Sequence, residues 1–304
     1  MNDAIRIGVD LGGTKTEIIA LTATGEELIR QRVVSPRGDY RATIDNIVAL
    51  VEQVEAELGA AGTVGIATPG ALSRKTGGLK NSNSVWLNGR PLKQDLQLAL
   101  KREVRIANDA NCFALSEATD GAASGAEVVF GVIVGTGTGG GIVAHGRLIT
   151  GVNSIAGEWG HNPLPWLSPQ ELPGPPCYCG KSGCIETYLS GPGMAGDHFA
   201  RTGAVLEAKD IVREAAAGNT HAEQTLQRYE QSMARALASV INILDPEVIV
   251  LGGGMSNIAR LYQTVPKLWG RYVFSDHVQT RLVAPKYGDS SGVRGAAWLW
   301  AKRF

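Results

Sequence analysis

Three features of the sequence predict a two-domain α/β fold made of two like halves. A strand with a glycine turn occurs twice, strand-like and helix-like segments alternate, and 304 residues with 44% apolar content suffice for two ordinary cores. The repeat is the most specific of the three. Ile7 to Ala20 reads IGVDLGGTKTEIIA and Phe130 to Val143 reads FGVIVGTGTGGGIV; Gly8 falls on Gly131 and Gly12 on Gly135, an offset of 123 residues both times with no gap. Each copy runs an apolar strand into a turn with few side chains, where backbone N–H groups can converge on an anion. Two such turns facing each other would grip one polyphosphate.

In chain order, Arg6–Leu11, Thr16–Thr22 and Glu27–Ser35 read as a three-strand meander with a Thr24-Gly25 turn. From Thr43 to Leu58 apolar residues recur at three and four (Ile44, Ile47, Val48, Val51, Val54, Leu58), which predicts a helix stopped by Gly59. Thr63–Ala67 is a buried strand ending in Thr68-Pro69-Gly70; Leu92–Leu100 is helical, Val104–Ala107 is strand, and Ala110–Ala118 is helical after Asn108-Asp109. Ligands of such sheets gather at the carboxyl ends of the strands, where Asp10, Gly70 and Asp109 stand. The pattern returns with strands at Val128–Val134 and Gly141–His145. Gly151–Gly193, rich in Gly, Pro, Trp and Cys and without periodicity, is too long for an ordinary connection and reads as a functional insertion. Helices follow at Ala208–Ala217 and Ala222–Leu244, then a buried strand Val248–Leu251, the turn Gly252-Gly253-Gly254, and a last helix over Gly292–Trp300 that packs back on the first domain. The expected domains are 1–120 completed by a C-terminal helix 291–304, and 121–290 carrying the insertion 151–193.

Lys plus Arg equals Asp plus Glu at 29 each, so no whole-molecule field recruits nucleic acid or an anionic membrane. No apolar run reaches the roughly 20 residues that span a bilayer, and no signal-peptide core precedes the first strand. The chain reads as cytoplasmic, with a small-molecule partner. Three of four cysteines lie between Cys177 and Cys184, which suits a metal site better than a disulfide framework. Cys112 lies apart on an apolar helix face and reads as core.

The first turn, Asp10-Leu-Gly-Gly-Thr-Lys15, is neither a Walker A loop nor a dinucleotide loop, because it re-enters a strand. It reads as a hairpin cradle. Gly12 and Gly13 allow close approach of a phosphate, Thr14 and Lys15 add donors, and Asp10 could hold Mg²⁺ through water; a plain hairpin with a surface lysine is the alternative. The second turn, Gly135-Thr136-Gly137 and on through Gly141, costs backbone entropy to order, so a ligand is expected to offset it. Gly252 to Gly254 could lie against a base or ribose, or form a simple strand-to-helix turn.

His161, Cys177, Cys179 and Cys184 supply one imidazole and three thiolates, a complete tetrahedral set for structural Zn²⁺, and Cys-x-Cys-Gly-x-x-Gly-Cys gives the tight turns that wrapping a metal requires. Asp109, after a buried strand, can accept a hydroxyl proton as it attacks phosphorus, whereas Asn108-Asp109 alone would also serve as a helix N-cap. Glu158 and Glu186 flank the metal segment and would be brought to one place by it, where they suit the hydroxyls of a sugar; a surface residue for Glu158 and a helix-start acid for Glu186 are the alternatives.

With these motifs together, the chain resembles the ROK (repressor, open reading frame, kinase) sugar kinases of the two-domain actin/hexokinase-like ATPase fold, a duplicated ribonuclease H-like fold. The resemblance spans nearly the whole chain and rests on Asp10-Leu-Gly-Gly-Thr-Lys15, Asn108-Asp109, Gly135-Thr-Gly-Thr-Gly139, Glu158-Trp-Gly-His161, Cys177 through Glu186, and Leu251-Gly-Gly-Gly254. Within the family, Asn81 to Gly89, His161-Asn-Pro-Leu-Pro-Trp166 and Gly288 to Trp298 look like bacterial fructokinases of the manno(fructo)kinase type. The resemblance implies transfer of the γ-phosphoryl of ATP to the 6-hydroxyl of a hexose, fructose first, with mannose, glucose or an N-acetylhexosamine as alternatives. It implies Asp109 as base and Mg²⁺ on the phosphates. It also implies a sugar pocket of Gly70, Asn83, Asn108, Asp109, Glu158, His161 and Glu186, with His161 doubling as a zinc ligand. The implied nucleotide contacts are Gly12, Gly13, Thr14, Lys15, Gly135, Thr136, Gly137, Gly252 and Gly253, and the implied assembly is a homodimer. The tract Trp166–Pro176 is longer than in glucose-type relatives. A sugar-responsive repressor of the same family would need a helix-turn-helix ahead of the first strand, and a protein-binding actin-like ATPase would have no reason for a metal loop carrying two acids.

Overall fold

The computed structural model describes residues 5–288 and 291–301. The chain divides into two compact units, Met1–Gly125 with Gly141–Ala156 and Lys286–Phe304, and Ala126–Gly140 with Gly157–Pro285. In the first unit β1 (Arg6–Leu11), β2 (Lys15–Leu21) and β3 (Glu27–Val34) form the expected meander. Then come α1 (Tyr40–Leu58), β4 (Thr63–Thr68), a small hairpin of β5 (Ala71–Leu72) and β6 (Leu79–Lys80), α2 (Leu92–Leu100), β7 (Val104–Asn108) and α3 (Asp109–Thr119). Helix α1 starts earlier than its periodicity suggests because the Asp39 side chain accepts from Ala42 N and caps it; Gly59 at φ 64° ends it.

The first sheet has the order β3-β2-β1-β4-β7. Strand β1 pairs antiparallel with β2 and parallel with β4, which pairs parallel with β7. Strand alternation sorts the two faces. Ile7, Val9, Val64 and Ile66 point into a core with Ile44, Ile47, Val51, Val54, Leu92 and Leu96 from α1 and α2; each such fully buried side chain contributes roughly 1.5–3 kcal/mol. Gly8 and Gly65 point the other way, against α9 (Ser291–Trp298). A Cβ on Gly8 would lie 2.2 Å from the Val293 carbonyl oxygen, and one on Gly65 1.9 Å from that of Ala296. Gly295 of α9 meets α3 as closely, its Cβ position 1.7 Å from the Cys112 carbonyl oxygen, so helix and sheet touch backbone to backbone. Buried Glu117 of α3 ties this end together: its carboxylate accepts from Ala122 N, Lys286 N and the Ser291 hydroxyl. Beyond α9 the Trp300 indole donates to the Val64 carbonyl. The predicted last helix thus ends at Trp298, and residues 302–304 lie outside the described residues, as do 1–4 and 289–290.

The remaining elements are β8 (Val128–Val134), β9 (Thr138–Ala144), β10 (Arg147–Ile149), α4 (Glu186–Leu189), α5 (Gly191–Thr202), α6 (Ala208–Ala216), α7 (Thr220–Leu244), β11 (Val248–Gly252), α8 (Leu261–Trp269) and β12 (Arg281–Val283). The second sheet has the order β10-β9-β8-β11-β12, with β11 parallel to both β8 and β12. This is the first sheet's topology repeated, β8 and β9 standing where β1 and β2 stand. The boundary between the units falls inside β9, after Gly140.

Strand β9 starts three residues earlier than expected, so Thr138–Gly141 are strand rather than turn. Close approach explains the glycines: a Cβ on Gly140 would lie 2.8 Å from the Phe130 ring, and one on Gly141 2.6 Å from the Ala110 carbonyl oxygen. The insertion, irregular to Gly193 by its sequence pattern, yields to helix from Glu186, first in the one-turn α4 and then in α5, which Ser190 caps by accepting from Gly193 N, with Pro192 in its first turn. No helix among the described residues is long and apolar enough to cross a membrane.

Candidate active site

In the first unit the ends of three adjacent parallel strands carry Asp10, Gly70 and Asn108-Asp109. The β1–β2 turn is closed by a Gly12 N to Lys15 O bond of 3.0 Å, and a Cβ on Gly12 would meet that same Lys15 oxygen at 2.7 Å, so only glycine fits. Ser35, unforeseen in the sequence, braces it from β3: its hydroxyl donates to Gly12 O at 2.8 Å and receives the Thr16 hydroxyl, and its N–H binds Thr14 O. Gly13, Thr14 and Lys15 form the apex, the last two exposed.

Asp10 lies beside the start of α9, where a Cβ on Gly292 would come within 3.1 Å of its carboxylate. Burial first, then Asp109 and Glu17, push its carboxyl up to about 7, against a lowering by Arg32. Asp109 opens α3, and its Oδ1 accepts from Ala110 N at 2.8 Å. Asn108 is the N-cap, its Oδ1 accepting from Asn111 N at 2.8 Å. Asp109 is exposed at its surface, yet desolvation by the protein packed around its carboxyl raises it above the usual value.

Gly70 turns the chain out of β4 at φ 85°, and its Cβ would strike the Lys80 carbonyl oxygen at 2.4 Å. Asn83 sits exposed between buried Ser82 and Ser84. The loop owes its shape to Asn88, which no sequence pattern singles out: Ser82 N donates to Asn88 Oδ1 and Asn88 Nδ2 to Ser82 O, both 2.9 Å.

In the second unit the turn Gly135-Thr136-Gly137 is braced by Glu186. Its Oε2 accepts from Thr138 N at 2.8 Å, and a Cβ on Gly137 would lie 2.7 Å from that oxygen. Glu186 N in turn binds Gly160 O, which links the turn to the metal segment. Glu158-Trp159-Gly160-His161 is fastened to β9 by the Trp159 indole, which donates to Gly139 O at 3.0 Å, and by Gly160, whose Cβ would meet Thr138 O at 2.0 Å.

The four metal candidates converge, with all ligand atoms within 4.8 Å of one another. His161 Nδ1 lies 3.5 Å from Cys177 Sγ, and Cys179 Sγ lies 3.6 Å from Cys184 Sγ. Thiolates bound tetrahedrally at about 2.3 Å would stand about 3.8 Å apart, so the donor set fits Zn²⁺ in number, type and spacing. Burial, with Cys179 and Cys177 next to it, pushes the Cys184 thiol up to about 12. The tract Trp166–Pro176 is anchored to α7 by Arg235, which donates to Trp166 O and in two bonds to Glu171.

An open pocket of about 770 Å³ is lined by Gly135, Thr136, Gly191, Pro192, Ala195, Val212, Gly254, Met255 and Ile258 among others. Gly254, the last of the Gly252–Gly254 cluster, lines it, and Gly253, at φ 78°, packs against Val134 O. The start of α5 at Gly191-Pro192 is hidden in the sequence because Gly-Pro-Gly resembles a turn.

The family model of the ROK family matches residues 6–303. An N-acetyl-D-glucosamine kinase of Photobacterium profundum is 41% identical over 300 residues, covering 97% of this chain and 99% of the relative. The crystal structure of a ROK hexokinase from Thermus thermophilus is similar with a TM-score of 0.85 at 30% identity, covering 96% of each chain. That of a ROK family glucokinase from Streptomyces griseus in complex with glucose and AMPPNP is similar with a TM-score of 0.76 at 27% identity, covering 97% of this chain and 99% of the other.

Proposed function

Since the chain belongs to the ROK family of sugar kinases and has their actin-like ATPase fold, we propose that it transfers the γ-phosphoryl of ATP to the 6-hydroxyl of an N-acetylhexosamine, N-acetyl-D-glucosamine first. The observation that carries this choice is the 41% identity, over nearly the full length of both chains, to a kinase of that sugar. It replaces fructose as the leading acceptor. Fructose is the second reading, favoured by Asn83 and the His161-Asn162-Pro163 segment, which resemble fructokinases.

In this reading Asp109 accepts the proton of the attacking hydroxyl. Its bond from Ala110 N fixes one carboxylate oxygen and leaves the other for the substrate. Gly70, Asn83, Asn108, Glu158, His161 and Glu186 orient the sugar. Gly12, Gly13, Thr14 and Lys15, with Gly135, Thr136 and Gly137, receive the phosphates through backbone and side-chain donors. The pocket beside Gly254 and Met255 takes the base, and Gly252 and Gly253 support it from behind. Asp10 would hold Mg²⁺ through water. His161, Cys177, Cys179 and Cys184 would hold Zn²⁺, which supplies structural bracing rather than Lewis-acid chemistry, since the four protein ligands complete its shell.

ADP release over a panel of hexoses and N-acetylhexosamines, with the phosphorylated carbon identified by NMR, tests the proposal. The expected result is the highest kcat/KM with N-acetyl-D-glucosamine and phosphorylation at C6. A clear preference for fructose would install the second reading, and no turnover with any sugar would overturn both.

A further inference from the structure

Tyr178 stands between two of the metal-site cysteines, yet its side chain turns to the imidazole rather than to the sulfurs. Its hydroxyl lies 2.9 Å from His161 Nε2, and the rings meet edge to face at 5.1 Å between centroids and 87° between planes. His161 has Nδ1 toward Cys177; with Nδ1 as its metal-ligand atom the imidazole proton would sit on Nε2, and that single N–H would donate to the phenol oxygen. This N–H is also the imidazole's only donor for a sugar hydroxyl. One donor cannot serve both acceptors at full strength.

The surroundings place the phenol among the same sugar-binding candidates. The Glu186 N–H binds Gly160 O, next to His161, and Glu158 stands three residues before His161, so both proposed sugar-binding acids belong to the segments that carry the phenol's partner. Apart from its edge on His161 the ring stands largely in solvent: Tyr178 is 83% exposed. The loop backbone holds without it, through Cys177 N to Lys181 O and Gly180 N to Cys177 O. A rotation about the side-chain torsions would free His161 and leave the metal loop unmoved.

We infer that Tyr178 is a displaceable stand-in for an acceptor hydroxyl on His161 Nε2, holding the imidazole in place until the sugar arrives and leaving as it binds. This rests on the sugar-kinase reading and assigns a residue that sets acceptor affinity. Breaking the tyrosine–histidine bond subtracts from sugar binding, because only the fraction of molecules with Tyr178 turned away is competent.

Tyr178→Phe removes the competing hydroxyl and keeps the ring. The expected result is an acceptor KM and calorimetric Kd lowered about two- to tenfold, the worth of one exposed hydrogen bond. In the same variant kcat is expected to stay unchanged, and zinc content by elemental analysis to equal that of wild type. In protein carrying 3-fluorotyrosine, the ¹⁹F resonance missing from Tyr178→Phe is expected to shift when the acceptor saturates the wild-type chain. An unchanged or weakened acceptor Kd, or a resonance that does not respond to sugar, overturns the inference while wild-type turnover leaves the kinase reading standing. Absence of sugar turnover in the wild-type chain would instead strike the kinase reading.

Discussion

Replacing Asp109 by Asn is expected to separate chemistry from folding. Asparagine keeps an Oδ1 to accept from Ala110 N and leaves the Asn108 cap of α3 intact, so the helix start survives. What is lost is the capacity to take a proton. A positioned general base is worth about 10²- to 10⁴-fold in turnover, or about 3 to 5 kcal/mol of transition-state stabilisation, while nucleotide and sugar affinity change little. Stability is expected to move the other way. The Asp109 carboxyl titrates above its ordinary value of 3.8 because burial disfavours the charge. Between its unfolded and folded pKa the native state therefore holds more protons than the unfolded chain, and stability falls as pH rises through that window. A neutral amide at this position removes this loss and also lessens the load on Asp10, whose carboxyl Asp109 helps raise to about 7. The Asp109→Asn chain should melt higher than wild type at pH 8, and the gap should close toward pH 4. The assays are ADP release at saturating ATP and sugar, and thermal melts across that range. Turnover within a few-fold of wild type, or a melting difference of opposite sign or independent of pH, would refute the reasoning.

Elemental analysis should find one zinc per chain, and stripping it with a chelator or making Cys184→Ser should lower the melting temperature; a metal-free preparation of undiminished stability would sink the assignment. Gly295→Ala puts a Cβ 1.7 Å from the Cys112 carbonyl oxygen and should cost about 2–3 kcal/mol in urea titrations. Gly196→Ala, inside α5 with nothing within 4 Å, should instead be neutral or stabilising by up to about 1 kcal/mol. Arg235→Gln breaks a pair that holds the Glu171 carboxyl down to about 2 and should cost about 1–3 kcal/mol at neutral pH, less than a fully buried pair because Glu171 keeps 31% of its side chain exposed. Because the folded pKa of Glu171 is depressed, this contribution is present above about pH 4.5 and should fade as melts are run down toward pH 2.

Much of the fold is legible in the sequence because it is written in repetition and alternation. The gapless register of Gly8 with Gly131 becomes two sheets of one topology, and residues two apart in β1 and β4 sort apolar side chains to one face and glycine to the other. The metal set is legible because four unusual ligand types share a short span. Other parts depend on partners that spacing does not reveal. The glycines of β9 read in sequence as a phosphate loop, but Gly140 and Gly141 answer to the Phe130 ring and to the α3 backbone. Helix α8 carries Pro266 inside it, and β12 has three residues, too few for a pattern. Ser35, Asn88 and Tyr178 act through hydrogen bonds to backbone or side chains at no fixed spacing, which leave no periodic trace.

The glycine grooves of β1 and β4 bear on biosynthesis. The helix that fills them, α9, follows the whole interior unit in sequence, so on the ribosome β1 and β4 wait with a bare backbone face until Ser291–Trp298 has been made. The intervening unit is complete before then and can fold as a body of its own. Assembly should therefore run outward from the interior unit, and termination before α9 should spare that unit while leaving β1 and β4 a substrate for chaperones and proteases.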